Sequence, residues 1–293
     1  MNHLHIDPQL FDRSFGREPF GFTHDLSNLE LFDFDSLRAL AAKYPSTERD
    51  VYAFRGAPAP GSDLAIVSSL PYSPLETLRR LDEGDCRLLL MRPEKYDQRF
   101  RILLDELFQQ VIRLAGGLGR DAVLRLEATI LVSSGATITP FHFDPETAFF
   151  CHISGEKEYH VYSPTAMSEA DLEPFYSRAK VTSGHVPLNG RDPGKEHVFN
   201  LTAGRGHHQP QNAPHWVKTG KSPSVSYSFV FETTSTRLLS KVRGCNHYLR
   251  KLGLEPTPPG AHTRSDAIKA AIMDAAIPLR KALAKASSAF SPR

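Results

Sequence analysis

Cysteine is scarce in this chain: three residues in 293, Cys86, Cys151 and Cys245. None stands at the spacing of a pair. That argues against a disulfide framework, and a reducing cytoplasm is the expected compartment. Long apolar runs are also missing. No stretch approaches the roughly 18 residues of a membrane helix, and the first eight residues have neither the basic nor the apolar region of a signal peptide. Charge of one sign is missing too. A formal net charge of +2 is too small to argue for the concentrated basic face that nucleic acid requires, and no helix-turn-helix or zinc-finger spacing occurs. There is no repeat of fixed period and no low-complexity block.

What remains is the composition of an ordinary globular protein, 40% hydrophobic and 23% charged, long enough to bury a full core. Residues 8–34 are rich in Phe and broken by Pro and Gly, and they read as an irregular arm laid on a core. A helix is expected over Ser36–Tyr44, capped by Asp35 and stopped by Pro45. A second is expected to start at Ser73-Pro74-Leu75-Glu76, where a cap, a first-turn proline and a Glu three residues after the cap coincide. Arg87-Leu88-Leu89-Leu90-Met91 reads as a short apolar strand. A longer helix is expected from about Pro93 to Ala115, with Phe100, Leu103, Leu104, Leu107 and Val111 on one buried face and Gly116-Gly117 closing it.

From Ala122 the period changes to two. Further strands are expected over 147–153, 157–163, 196–201, 205–209 and 224–232, with glycine and proline in most gaps. Many short strands without helices between them argue for an antiparallel barrel or jelly roll. Residues 164–195 form a long insert with a helix, Ser168–Tyr176, that has Asp171 at the capping-box position; the insert is either a surface insertion or a cover for the substrate. After Thr233 the pattern is helical again. A last helix over about Ser265–Ala286 contains Pro278, which is expected to kink or break it.

The chemistry concentrates at Thr139-Pro140-Phe141-His142-Phe143-Asp144. In an extended strand, residues i and i+2 share a face, so His142 and Asp144 can aim at one point. One imidazole and one carboxylate are two thirds of a 2-His-1-carboxylate iron site. His215, after the turn at Pro210-Gln211-Asn212-Ala213-Pro214, offers a third ligand; the His207-His208 pair is its competitor. Lys157 opens a strand on whose face Tyr159 and Val161 also lie, so it can sit in the same cavity as the metal. Phe141, Phe143, Phe149, Phe150 and Trp216 supply bulk near that point or serve as barrel core. His152 and His160 read as half-buried strand residues.

Thr139-Pro140-x-His142-x-Asp144, then Phe149-Phe150, Gly155, Lys157 and the late His215 resemble the JmjC and cupin-like family of Fe(II)/2-oxoglutarate oxygenases. The likeness is closest to its asparaginyl-hydroxylase branch, and it covers about residues 121–232. The resemblance implies a mainly β fold with flanking helices: a double-stranded β-helix (jelly-roll/cupin) barrel at 121–235, N-terminal arm and helices at 1–120, and a C-terminal helical segment at 236–293. It implies His142, Asp144 and His215 as ligands of Fe(II), with Thr139 and Lys157 holding the far carboxylate of 2-oxoglutarate. Ser228 stands at a later strand position, often Asn in the family, near the iron and the cosubstrate. The implied reaction uses O2 to convert 2-oxoglutarate to succinate and CO2 while oxidising a C–H bond of a protein side chain or small molecule. The C-terminal helices suggest a homodimer or packing on the chain's own barrel. The family's Gly-Asp turn reads Gly204-Arg205 here, and Ala148 replaces a residue that is frequently polar. Two other classes stay open: a metal-binding cupin enzyme that does not use 2-oxoglutarate, and a non-catalytic cupin-like sensor or regulator.

Overall fold

The structure is a computed structural model that describes residues 2–45, 50–55, 57–62, 72–81, 86–116, 118–119, 122–178 and 183–289. In chain order its elements are β1 (Leu4–His5), α1 (Pro8–Ser14), β2 (Phe20–His24), α2 (Phe34–Ala41), β3 (Val51–Arg55), α3 (Pro74–Arg79), β4 (Cys86–Met91), α4 (Gln98–Ala115), β5 (Val123–Ser133), β6 (Ile138–Phe143), β7 (Thr147–Ser154), β8 (Lys157–Tyr162), α5 (Glu169–Tyr176), β9 (Gly184–His185), β10 (Glu196–Leu201), β11 (Arg205–Gln209), β12 (His215–Thr219), β13 (Ser224–Thr233), α6 (Thr234–Lys251) and α7 (Thr263–Ala289).

The strands form two antiparallel sheets, β1-β2-β11-β7-β13-β5-β4-β3 and β10-β8-β12-β6-β9. Period two gives each central strand two faces. On the outer face of the large sheet, Leu88, Leu90, Ala128, Ile130, Val132, Phe149, Cys151, Tyr227 and Phe229 meet α1 through α4 in the main core. Helix α4 contributes Phe100, Leu103, Leu104, Leu107, Phe108 and Val111, all buried, each worth roughly 1.5–3 kcal/mol against exposure. The inner face of that sheet meets the small sheet. Phe150 and Leu131 from one side pack with Tyr159, Val161, Leu201 and Val217 from the other. This is the jelly-roll barrel expected from the strand pattern.

Several boundaries differ from expectation. Helix α2 starts two residues early, with Asp33 rather than Asp35 at its N-cap. The long helix begins only at Gln98. Pro93–Lys95 form a separate 3-10 turn, and Asp97 caps α4 by accepting from the Arg99 N–H at 3.0 Å. Gly116 ends it with φ 59°; Gly117 lies outside the described residues. The arm at 8–34 is not irregular throughout: α1 is helical, and β2 pairs with β11. The N-terminal region thus adds four strands to the large sheet as well as helices. Helix α7 runs unbroken past Pro278. The expected capping box on α5 is present at Ser168 and Asp171. No described helix is long and apolar enough to cross a membrane.

The described parts of the insert, 164–178 and 183–195, lie on the outer face of the small sheet. There Met167, Leu172, Tyr176 and Val186 cover Phe141, Phe143 and Tyr162. Its β9 then pairs with the edge of β6. Gly184 is required at that point, because a Cβ would come within 2.2 Å of the Phe143 ring.

Candidate metal centre

His142 and His215 are directly opposite each other on β6 and β12. Opposed side chains of an antiparallel pair lie on one face, and their ring centroids are 4.1 Å apart. Asp144 follows the end of β6, with Oδ2 3.7 Å from His215 Nε2. One ligand atom from each of the three residues lies within 4.8 Å of the others.

The chain holds each group from behind. His142 Nδ1 donates to the Pro140 carbonyl at 2.7 Å, and His215 Nδ1 donates to the Ala213 carbonyl at 3.1 Å. Those bonds fix the tautomer and leave both Nε2 atoms as acceptors toward the shared point. The Ser183 hydroxyl donates to Asp144 Oδ1 at 2.5 Å. Burial, and then the charge His142 would carry, push His215 down to about 3, so the ring is neutral, as a ligand must be. Burial by itself would raise the Asp144 carboxyl, but the two histidines and Ser183 bring it below its ordinary value. Two imidazoles and one carboxylate, each with a ligand atom within 4.8 Å of the others, fit a divalent first-row metal such as Fe(II).

The turn before His215 is pinned to the loop after His142. The Asn212 N–H donates to the Asp144 carbonyl at 3.0 Å, and Gln211 Nε2 donates to the Pro145 carbonyl at 2.9 Å. Asn212 has φ 64°, a left-handed conformation that Asn tolerates better than most residues. Its side chain accepts from the Tyr176 hydroxyl of α5. The insert therefore supports the metal centre through Ser183 and Tyr176.

Farther down the barrel lie Thr139 and Lys157. Lys157 is 5% exposed and faces Thr219 on β12 and Leu201 on β10. Its Nζ sits 5.5 Å from the Phe150 ring centroid and makes no hydrogen bond or ion pair among the described residues. Burial, and then Arg87, push its ammonium down to about 7. The Thr139 hydroxyl oxygen accepts from the Arg87 guanidinium. His152 is fully buried. Its Nδ1 lies 3.0 Å from Ser226 Oγ, its Nε2 has no partner among the described residues, and burial, then Lys157, push it down to about 3. Ser228 lies on β13 opposite Phe150, on the same strand face as Ser226 by period two.

The remaining candidates fall elsewhere. His208 points into the outer core: Nε2 accepts from the Gly16 N–H at 3.1 Å, Nδ1 donates to the Ala148 carbonyl at 3.1 Å, and Phe149 and Phe20 flank it. His207 lies inside the barrel, stacked on Phe199 and beside Tyr159. Neither ring nitrogen has a partner among the described residues, and it is not one of the three clustered groups. Trp216, expected near the iron or in the core, is stacked on His160 at 3.8 Å on the outer face. There His160 lies between Glu158 and Glu196. Phe141 and Phe143 also face outward, since they alternate with His142; Phe150 faces inward. Sequence reading missed Arg87, Ser183 and Asn212. Only Arg87 left a signal, as a charge within an otherwise apolar strand.

Two facing antiparallel sheets, with a His-x-Asp at the end of β6 and a His on β12, define the double-stranded β-helix fold of the cupin and JmjC class. No protein-family model matches the sequence, and no curated protein matches it. Solved structures do. The Escherichia coli ribosomal oxygenase YcfD in complex with cobalt and 2-oxoglutarate is 18% identical, over 94% of this chain and 67% of that one, with a TM-score of 0.50. The same oxygenase with cobalt and succinic acid is 17% identical over 94% and 67%, with a TM-score of 0.47. The DMSP lyase DddQ from Ruegeria pomeroyi DSS-3 aligns over 36% of this chain and 38% of that one, at 16% identity and a TM-score of 0.24. At 18% identity and a TM-score of 0.50, the likeness to the 2-oxoglutarate complex is one of fold.

Proposed function

We propose that the chain is an Fe(II)- and 2-oxoglutarate-dependent oxygenase of the hydroxylase type. The observation that carries this reading is a His-Asp-His trio and a buried lysine with no anionic partner among the described residues, inside one barrel. His142, Asp144 and His215 would hold Fe(II), with Thr139 and Lys157 at the far carboxylate and Ser228 on the wall beside them. When bound, Fe(II) with O2 supplies the oxidation that turns 2-oxoglutarate into succinate and CO2 and puts one oxygen atom into a substrate C–H bond. The protein's part is placement. Pro140 and Ala213 orient the imidazoles, Lys157 and Thr139 orient the oxo acid, and Phe150, Tyr159 and Val217 exclude water.

The substrate is read as a protein side chain or a small molecule, in the cytoplasm, and not nucleic acid. The division into 1–120, 121–235 and 236–293 is our working one. A homodimer through the C-terminal helices is supported by exposed Leu252, Leu254, Ile268 and Ile272; a monomer by light scattering would remove it.

The test of the activity is an NMR time course of protein with Fe(II), 2-oxoglutarate and ascorbate. Slow succinate formation is expected without the prime substrate. No succinate above a protein-free control, with iron shown to be bound, would instead favour a metal-binding cupin that does not use a 2-oxo acid.

A further inference from the structure

Helix α6 reaches the metal centre from behind. Asp144 and His215 belong to two chain segments, 144–145 after β6 and 210–215 leading into β12. Those segments are tied together by the Asn212 N–H on the Asp144 carbonyl and by Gln211 Nε2 on the Pro145 carbonyl. Each tie is backed by a helix. Gln211 Nε2 also donates to Ser240 Oγ of α6 at 3.3 Å, and that hydroxyl donates to the Thr236 carbonyl at 2.9 Å. Asn212 Oδ1 accepts from the Tyr176 hydroxyl of α5. Tyr176 and Asn212 are 3% and 4% exposed, so water cannot readily replace either partner.

Helix α5 is in turn fixed to α6. Arg243 Nε and Nη2 donate to the two carboxylate oxygens of Glu169, each at 2.9 Å, a planar fork that holds one orientation. Arg250 Nε donates to the buried Glu173 carboxylate at 2.9 Å, and the Tyr248 hydroxyl donates to the Ser177 carbonyl at 3.1 Å. At Gly244 the helices come so close that a Cβ would stand 2.5 Å from the Tyr176 carbonyl oxygen. Ser240, Gly244 and Tyr248 recur every four residues, so one face of α6 serves both α5 and the metal-bearing loop.

We propose that Tyr176 and Ser240 are positioning residues of the metal centre, and that α6 sets the separation of Asp144 and His215 through them. This rests on reading His142, Asp144 and His215 as metal ligands. Neither residue is a ligand; each backs a tie between the segments that carry Asp144 and His215. Metal binding and the docking of α5 on α6 are then linked, and linkage acts in both directions. What loosens the helices weakens the metal, and the metal steadies the helices.

The test is equilibrium titration of the full chain with Co(II), read by the visible absorption of the bound ion, with thermal melting of the metal-free protein beside it. Tyr176→Phe is expected to weaken Co(II) by about three- to tenfold, the scale of one buried hydrogen bond, and to change the shape of the absorption band. Ser240→Ala is expected to weaken it by about a few-fold, and it serves as the probe should Tyr176→Phe fail to fold. Asn212→Gly keeps the left-handed backbone and removes the side chain; in that background Tyr176→Phe should cost nothing further. Gly244→Ala, which pushes α5 from α6 without touching the loop, should weaken Co(II) as well. In the other direction, Co(II) should slow amide exchange in α5 and in the N-terminal half of α6. Variants that melt earlier but keep the wild-type Co(II) affinity and spectrum would make these contacts merely structural and overturn the proposal. So would a loss from Tyr176→Phe that persists undiminished in Asn212→Gly, or amide exchange in α5 and α6 that ignores the metal. A wild type that binds no Co(II) overturns the metal-site reading itself, and this proposal with it.

Discussion

The two ends of the barrel interior are built on opposite plans. At the metal end every group is held before any ligand arrives: His142 by Pro140, His215 by Ala213, Asp144 by Ser183. At the far end Lys157 and His152 are gathered but not fully satisfied among the described residues. Lys157 has no hydrogen bond or ion pair among the described residues, and His152 Nε2 has no partner among them. The first end carries a carboxylate and suits a cation; the second carries ammonium and guanidinium groups and suits an anion. A preorganised site binds with little ordering cost, whereas an incomplete one gains most when its missing charge arrives. Under the proposed function the difference implies that metal binding and anion binding should be separable, and that the anion should be the more sensitive to pH.

The largest expected break of that contrast is Asp144→Ala, which removes the one carboxylate of the proposed metal-binding trio. Fe(II) affinity should fall by more than about a hundredfold, since even outer partners of metal ligands cost 10–100-fold; metal analysis after gel filtration reads this. Unchanged iron content would place the metal elsewhere.

Lys157→Met breaks the other end alone. 2-Oxoglutarate should bind about ten- to a hundredfold more weakly while metal affinity is retained. The same substitution checks the pH linkage. Lys157 in the folded protein is lowered from 10.5 to about 7, so between those values the unfolded chain binds more protons. This group therefore makes stability rise with pH across that window and adds its full destabilisation below it. Melting curves from pH 6 to 10 should show the rise in the wild type and lose that component in Lys157→Met.

Ser183→Ala sharpens the comparison by loosening the metal end from behind. About a tenfold loss of Fe(II) affinity is expected, with 2-oxoglutarate affinity in the metal-saturated protein little changed. An effect on the anion equal to that on the metal would mean the two ends are coupled.

The smallest effect on binding belongs to His207→Leu, a residue between the ends that serves neither. Iron affinity should be unchanged, and stability should rise by about 1–2 kcal/mol as two unsatisfied buried polar atoms are replaced by carbon. Loss of iron would make His207 a ligand and displace His215.

Much of this was legible before any coordinates. The change of period at Ala122, the glycine and proline punctuation, and the capping box at Ser168 are local signals, and local dihedral preferences decide them. The errors lie where context competes with the local signal. Asp33, not Asp35, starts α2, because neighbouring positions compete for one cap. Phe20–His24 looked like a loop rich in Phe and Gly, yet it finds a partner in β11 and becomes a strand. Val51–Arg55 gave too short a pattern to notice. Trp216 was expected at the iron or in the core, but it alternates with His215 along β12 and is turned outward. Short motifs at fixed spacings carried the reading of the site.

The sequence by itself determined that His142 and Asp144 approach one point and that Lys157 shares a face with Tyr159 and Val161. A strand repeats every two residues, and a tight turn at Gly155 reverses it. Only the tertiary structure decided which histidine completes the trio, because His142 and His215 meet through strand pairing across 73 residues of chain rather than through any local pattern. It alone brought Arg87 to Thr139, Ser183 to Asp144 and Tyr176 to Asn212. Each of these contacts joins segments from different strands, helices or loops. Side-chain spacing along one strand is set by covalent geometry. The register between strands is set by which apolar faces must be buried together, and that is a property of the whole chain.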